Sequence, residues 1–282
     1  MKPLYLFLFV VLLSACAEKH VFTPENRILG VDKLDNENKL IVLTSKHLYK
    51  INPGSQQVIW KLNDDYPGHI ELIINEDIFV LNTNNGAEVG IHKIDPSDGH
   101  TLFKYYSDEI SMYRLIIIKN EEKEYYWGED EIVDIDTTIH ANNAVSAFAA
   151  KNKNELEWLS KDLRSNSRVV NFKLLKRILA ITKEIPNKKD IAYIQFNNDY
   201  LVVEFYNYFN YYSIQEGKLI GRIATDGFGS RTLRSHYVIE PLNRVINLET
   251  QEIEKTKKHQ LDLIFLGEQR FNVYHKEIRK LN

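Results

Sequence analysis

The sequence predicts an all-β chain folded as a β-propeller of about six or seven blades, each a four-stranded antiparallel sheet. Three observations predict it. A unit of short apolar segments joined by turn residues recurs along the chain, its first two clear copies offset by 43 residues. The 16 Tyr and 13 Phe suit half-buried pleated surfaces. No Pro/Gly/Ser-rich linker divides residues 28–282, so a single domain must hold all the units.

The N-terminus is a separate element. Lys2 precedes ten apolar residues, Leu4 to Leu13. A membrane-spanning helix needs about 20, so the run has the length of a signal-peptide core. Small Ser14 and Ala15 then precede Cys16, the one cysteine in the sequence. A lone thiol in an exported chain has no partner for an internal disulfide. The stretch Leu13-Ser14-Ala15-Cys16 resembles the lipobox of bacterial lipoproteins. The resemblance implies cleavage before Cys16, attachment of palmitate-type acyl chains to its thiol, and acylation of the new amine. Two or more chains anchor a protein stably. Ala17, in place of Asp, resembles the outer-membrane sorting pattern. Residues 1–15 are therefore expected to be a lipoprotein signal peptide, 16–27 a lipidated tether and 28–282 the propeller.

The first repeat is Leu40-Ile41-Val42-Leu43, then Leu48-Tyr49-Lys50-Ile51-Asn52-Pro53-Gly54, then Val58-Ile59-Trp60. The second is Ile78-Phe79-Val80-Leu81, then Ile91-His92-Lys93-Ile94-Asp95-Pro96, with Gly99 and Phe103. In both, the aromatic residue lies nine positions after the isoleucine. Pro presets φ and Gly accepts positive φ, so the joints read as turns. Leu48 and Lys50 alternate with Tyr49 and Ile51, as in a two-faced strand. A third copy is expected at Ala144-Val145-Ser146-Ala147-Phe148, ending at Trp158. Trp60, Phe103 and Trp158 are expected to be buried at equivalent places between successive sheets. Weaker copies start at Tyr200 and Val245, and segments 177–181 and 191–194 suggest another degenerate unit. A small sheet cannot bury both of its faces alone, so the units must stack.

These units resemble the repeats of quinoprotein-like propellers, in which an aliphatic-Asp/Asn turn with Gly is followed by Trp. In topology and anchoring the chain is also similar to the propeller lipoprotein of the outer-membrane barrel-assembly machinery. Ser160 to Lys183 departs from the pattern. Its apolar residues fit no single period, and a short helix or insertion is expected there. The competing arrangements are an irregular β-sandwich and two β domains whose hairpins look alike by chance.

Little in the sequence points to catalysis. The quinone-dependent relatives that the repeats resemble share a vicinal cysteine pair, which a chain with one cysteine cannot make; no cofactor is expected. There is no His-Glu-x-x-His, Gly-x-Ser-x-Gly or phosphate-binding Gly loop. The nine histidines form no pair at metal-ligand spacing, and His140 and His236 read as polar residues of strand edges or loops. Glu129, Asp130, Glu131, Asp134 and Asp136 could supply oxygen ligands to calcium. The alternation of Ile132, Val133 and Ile135 reads better as a strand with an acidic face, so no metal is expected. A formal charge of −3 argues against nucleic acid as partner.

Two segments suggest a surface for another protein. Asp226-Gly227-Phe228-Gly229-Ser230-Arg231 offers Phe228 and Arg231 on a Gly-rich loop, with Arg234 and His236 beyond. Residues Phe205 to Tyr212 hold six aromatic rings, among them Tyr206 and Tyr208. If this segment is a hairpin turning near Asn207 to Asn210, alternate rings instead pack the core. The expected function is that of a non-catalytic binding or scaffolding lipoprotein, anchored in the outer membrane through Cys16 and facing the periplasm. The alternatives are an immunity-type lipoprotein that neutralises a toxic effector, and a propeller enzyme or carbohydrate-binding protein.

Overall fold

The computed structural model describes residues 18–281 apart from 35–36, 65–69, 76, 85–87, 108–113, 122, 129–130, 135–143, 162, 164–166, 226–230, 241–243 and 256–261. Strand β1 (Glu18–Phe22) is the first of the described strands and belongs to the last blade. Blade 1 contains β2 (Ile28–Lys33), β3 (Leu40–Thr44), β4 (His47–Asn52) and β5 (Gln57–Asn63). Blade 2 contains β6 (Ile70–Asn75), β7 (Asp77–Asn84), β8 (Glu88–Ile94) and β9 (Thr101–Ser107). Blade 3 contains β10 (Ile116–Asn120), β11 (Lys123–Gly128) and β12 (Glu131–Asp134). After helices α1 (Ala144–Lys151) and α2 (Lys153–Lys161) it gains β13 (Val169–Asn171), which leads into α3 (Phe172–Lys183). Blade 4 contains β14 (Tyr193–Phe196), β15 (Tyr200–Glu204), β16 (Tyr208–Ser213) and β17 (Lys218–Ala224). Blade 5 contains β18 (Thr232–Arg234), β19 (Tyr237–Glu240), β20 (Arg244–Asn247) and β21 (Ile253–Lys255). Blade 6 joins β22 (Asp262–Leu266), β23 (Gln269–Val273) and β24 (Ile278–Leu281) to β1.

The fold is thus a six-bladed propeller of four-stranded sheets. The helical insertion in blade 3 takes up the chain that a seventh blade would need. Strands β2, β6, β13, β14, β18 and β22 line the centre.

The runs of adjacent apolar residues have a simple cause. A blade is covered on both faces, so both side-chain rows of its middle strands must be apolar. On β3, Ile41 and Leu43 pack towards Ile78 and Val80 of blade 2. Leu40 and Val42 of the same strand pack towards Ile264 and Phe271 of blade 6. Burying each such side chain contributes about 1.5–3 kcal/mol. The same division recurs in blade 4. Leu201 and Val203 join the cluster towards blade 3, while Val202 joins the one towards blade 5.

Two of the three expected aromatic positions are equivalent. Trp60 lies opposite Lys50, and Phe103 lies opposite Lys93, each next to a bulge in its outer strand. The half-buried Trp60 donates from Nε1 to Pro96 O of blade 2 at 3.2 Å. Half-buried Phe103 meets Tyr126 of blade 3 edge-on, with centroids 6.3 Å apart. Trp158 is not their equivalent. It lies in α2, half-buried against the core that α1, α2 and α3 share with blades 3 and 4. The expected third strand repeat is helix α1. Ala144, Ala147, Ala149 and Ala150 make that segment a strong helix former, and this local preference prevails over its likeness to a strand. The aperiodic stretch beyond Ser160 joins a strand to a helix, which mixes periods of two and 3.6 residues. Strand β13 also pairs parallel to β10, so blade 3 departs from a simple antiparallel meander.

Residues 18–22 of the expected tether are part of the ring. Val21 is buried, and the Phe22 ring meets Tyr49 edge-on at 5.2 Å. Glu18 pairs with Leu281 and accepts hydrogen bonds from Asn272 Nδ2 at 2.7 Å and Tyr274 Oη at 2.9 Å. Without β1, blade 6 would be one strand short, and β24 would expose its free edge.

Candidate functional site

Arg231 is buried, which corrects its expected place on a binding surface. Its Nη1 donates to Glu204 Oε2 at 3.0 Å, and its Nε donates to Glu240 Oε1 at 2.8 Å. Gln195 of β14 completes the cluster, donating to Glu204 Oε1 at 2.7 Å and to Arg231 O at 2.8 Å. Burial pulls the Arg231 pKa down, but hydrogen bonds and charge from Glu240 and Glu204 outweigh it and the net shift is upwards. A cation needs such partners to be buried at all. Arg231 therefore ties blade 4 to blade 5.

A second cluster stands at the centre. Arg234 of β18 donates to Asp32 of β2, to Val31 O at 3.1 Å and to Asp262 of β22 at 2.7 Å. Burial raises the Asp32 pKa, opposed chiefly by Arg234. A cavity of about 130 Å³ lies beside this cluster, lined also by Ile74, Phe196 and Phe265. Arg234 thus joins three blades across the axis. The sequence marked Arg234 as a neighbour of the Gly-rich loop. Its carboxylate partner Asp32 lies 202 residues away, beyond the reach of any local pattern.

The aromatic segment divides its rings. The turn falls at residues 205–207, earlier than expected, and β16 begins at Tyr208. Phe209 and Tyr211 are buried towards blade 5, while Tyr208 and Tyr212 face the helical side. Tyr208 is half-buried, stacked on Phe205 at 4.7 Å with the Arg222 guanidinium 4.3 Å from its ring centre. Tyr206 remains 56% exposed. Of the expected contact residues, Tyr206 and Tyr208 share this turn and Arg231 is internal. Phe228 and the anchor residue Cys16 lie outside the described residues, as do Glu129, Asp130, Asp136 and His140. His236 is half-buried and stands 4.1 Å from the Tyr237 ring.

Sequence reasoning missed a recurring surface feature. Val58 and Ile59 on β5, Leu102 on β9, Leu219 and Ile220 on β17, and Ile253 on β21 are all exposed. Each follows the turn that leads into the outer strand of its blade, at six or seven residues past Asn52, Asp95, Ser213 or Asn247. The signal was present in the repeats quoted above, but outward and inward aliphatic residues look alike in a sequence.

Among the described residues, Asp95, Asp98 and His100 bring three possible metal-ligand atoms together. They belong to an exposed turn in which Asp95 accepts from Ser97 N at 2.7 Å and Asp98 accepts from His100 N at 3.0 Å. These bonds account for their positions as turn residues.

No family model and no curated protein matches the chain. Several solved structures are similar. Hsv2 of Kluyveromyces lactis is 10% identical, covering 89% of this chain and 91% of that one, with a TM-score of 0.50. BamB of Moraxella catarrhalis, a β-propeller lipoprotein of the barrel-assembly machinery, is 11% identical over 93% and 78%, with a TM-score of 0.33. The CNH domain of AfRom2 is 13% identical over 90% and 80%, with a TM-score of 0.38. At such identities the likeness is one of fold.

Proposed function

We propose that this chain is a lipid-anchored, non-catalytic scaffold of the bacterial cell envelope that acts through protein–protein contacts. The observation that carries the reading is the division of its side chains. Arg231, Arg234, Glu204, Glu240, Asp32 and Asp262 are engaged in ion pairs that join blades. Apolar groups instead stand exposed on outer strands, and Tyr206 stands exposed on a turn. Outer strands also have one unpaired backbone edge, which can accept a partner strand. A rigid ring with wet apolar edges is suited to holding other proteins.

The lipobox supports anchoring at Cys16, with palmitate-type chains in the outer membrane and the ring in the periplasm. Among the described residues, no helix is long and apolar enough to cross a membrane. The test is co-purification from native membranes of the full-length lipoprotein, with chemical crosslinking before solubilisation. A stoichiometric protein partner, lost with Tyr206→Ala/Tyr208→Ala or with Leu219→Glu/Ile220→Glu in proteins of unchanged melting temperature, is expected. Recovery of no protein partner would overturn the reading. A bound cofactor with turnover would replace it by the enzyme alternative.

A further inference from the structure

The helical insertion is charged unlike the rest of the molecule. Residues 144–190 hold eleven Lys/Arg and five Asp/Glu, whereas the whole chain holds 36 and 39. The insertion is thus +6 and the remainder −9. A separation of this size sets up opposed fields on one small protein.

Helix α3 concentrates the positive side. Its residues Phe172, Leu175, Ile178, Leu179 and Thr182 are buried. The opposite stripe of Lys173, Lys176, Arg177, Ala180 and Lys183 is exposed. These positions follow the 3.6-residue period, so the cations lie in one row about 15 Å long. Lys176 sits 3.9 Å from the Phe172 ring centre, and Lys183 donates to Asn152 Oδ1 at 3.0 Å. Among the described residues, neither Lys173 nor Arg177 has a carboxylate partner. At the start of the row an open cleft of about 550 Å³ lies between Lys173, Arg177, Asn171 and the Asn198 turn of blade 4.

We propose that the α3 stripe docks an acidic segment of a partner protein. The proposal rests on the protein-binding reading above and names the surface and the chemistry of what it holds. Charge complementarity chooses an anionic ligand, since four cations on one face attract negative charge and repel positive charge. The surroundings choose a narrow ligand over a flat anionic membrane. Glu121 lines the same cleft, and Glu184 follows Lys183 at the other end of the row. A bilayer wide enough to cover Lys173 would meet these carboxylates too. A peptide or helix carrying acidic residues along about 15 Å can follow the row alone.

The experiment places a photo-crosslinking amino acid at Ala180 in the full-length lipoprotein within intact cells, with Tyr206 as a second site. The expected result is a protein adduct at position 180 whose contacted peptide carries clustered Asp and Glu. Lys173→Glu/Arg177→Glu should cut its yield at least about fivefold, because like charges then face each other. Lys173→Gln/Arg177→Gln should give a smaller drop and guards against an effect on folding, as does an unchanged melting temperature. An adduct that survives charge reversal, a contacted peptide without acidic residues, or adducts with phospholipid alone would overturn the proposal. If position 206 captures a protein and position 180 does not, the stripe is refuted and the scaffold reading stands. If neither site nor co-purification captures a protein, both fall.

Discussion

Arg231 shows how a residue type misleads at the smallest scale. An arginine beside glycines and a phenylalanine reads as an interface anchor, yet its two buried carboxylate partners make it structural. Arg231→Ala should destabilise the protein by about 3–5 kcal/mol, because the buried Glu204 and Glu240 would lose the cation they share, Glu204 keeping Gln195 and Glu240 keeping Arg244. Denaturant titration measures this, and adding Glu204→Gln and Glu240→Gln should recover much of the loss. A stability change below about 1 kcal/mol would contradict the buried-cluster account. His92 makes the matching prediction for pH. It is buried in β8 beside Asp64 and the edge of Tyr106. Burial lowers its pKa, Lys104 adds to the effect, and Asp64 opposes it. A base with a depressed folded pKa contributes fully above its unfolded value and destabilises as the solution turns acidic. Stability should therefore decline as pH falls below about 6.5. His92→Gln should flatten that part of the curve in thermal melts recorded from pH 7.5 to 5; an unaltered slope would refute the assignment.

At the scale of the element, the repeat is a turn and its clasp. The turns into the outer strands end on a residue of positive φ: Gln56 (61°), Gly99 (81°), Gly217 (67°) and Gln251 (61°). A polar side chain caps each, with Asn52, Asp95, Ser213 and Asn247 all accepting backbone N–H groups. The clasp varies. In blade 1, Trp60 reaches over Gly99 of blade 2, where a Cβ would come within 2.7 Å of the indole. In blade 4 the position of Trp60 is held by Gly221, and Tyr211 from the adjacent strand fills the space. The Tyr211 hydroxyl is contacted by Gln251 Nε2 at 3.0 Å, and Gln251 occupies the turn position of Gly99. Gly99→Ala and Gly217→Ala should therefore differ. Each carries a penalty of about 1 kcal/mol for its positive φ, and only Gly99→Ala adds the clash with Trp60. A loss at position 99 exceeding that at 217 by about 1–2 kcal/mol is expected in denaturant titrations. Equal losses would mean that Trp60 does not hold the blades together. This exchange of aromatic for glycine is why blade 4 reads as a weak copy: the clasp survives while its sequence signature moves to another strand.

On the scale of the whole molecule, ring closure and the proposed anchor residue lie close together in the sequence. Because β24 and β1 are antiparallel, the start of β1 at Glu18 lies beside the end of β24 at Leu281. Gln56 Nε2 of blade 1 also donates to His20 O at 2.8 Å, holding β1 from the next blade. Only Ala17 separates Cys16 from the ring-closing strand. Two variants separate the roles. Cys16→Ser should move the protein from the membrane to the soluble fraction, or leave it unprocessed, with an unchanged melting temperature in whatever folded protein is recovered. Deleting residues 18–22 should cost on the order of 3 kcal/mol, from the lost burial of Val21 and Phe22 alone. A deletion protein as stable as the parent would show that the ring closes without β1.

What the sequence determined by itself is local and repetitive. The short apolar run near the N-terminus, the lone cysteine after small residues, the capped turns and the doubly buried aliphatic runs are each set by neighbouring residues, so spacing and residue type suffice to read them. The propeller class follows, because sheets apolar on both faces have to stack. Three things were decided only by the tertiary structure. Ring closure depends on pairing Glu18 with Leu281, at opposite ends of the chain. The fates of Arg231 and Arg234 depend on carboxylates brought in from other blades. The helices of blade 3 are held on a core that unites α1, α2 and α3 with strands of blades 3 and 4. The physical reason is common to all three. A charge or an edge is satisfied by whatever the fold places within about 3 Å of it, and sequence separation carries no information about that distance.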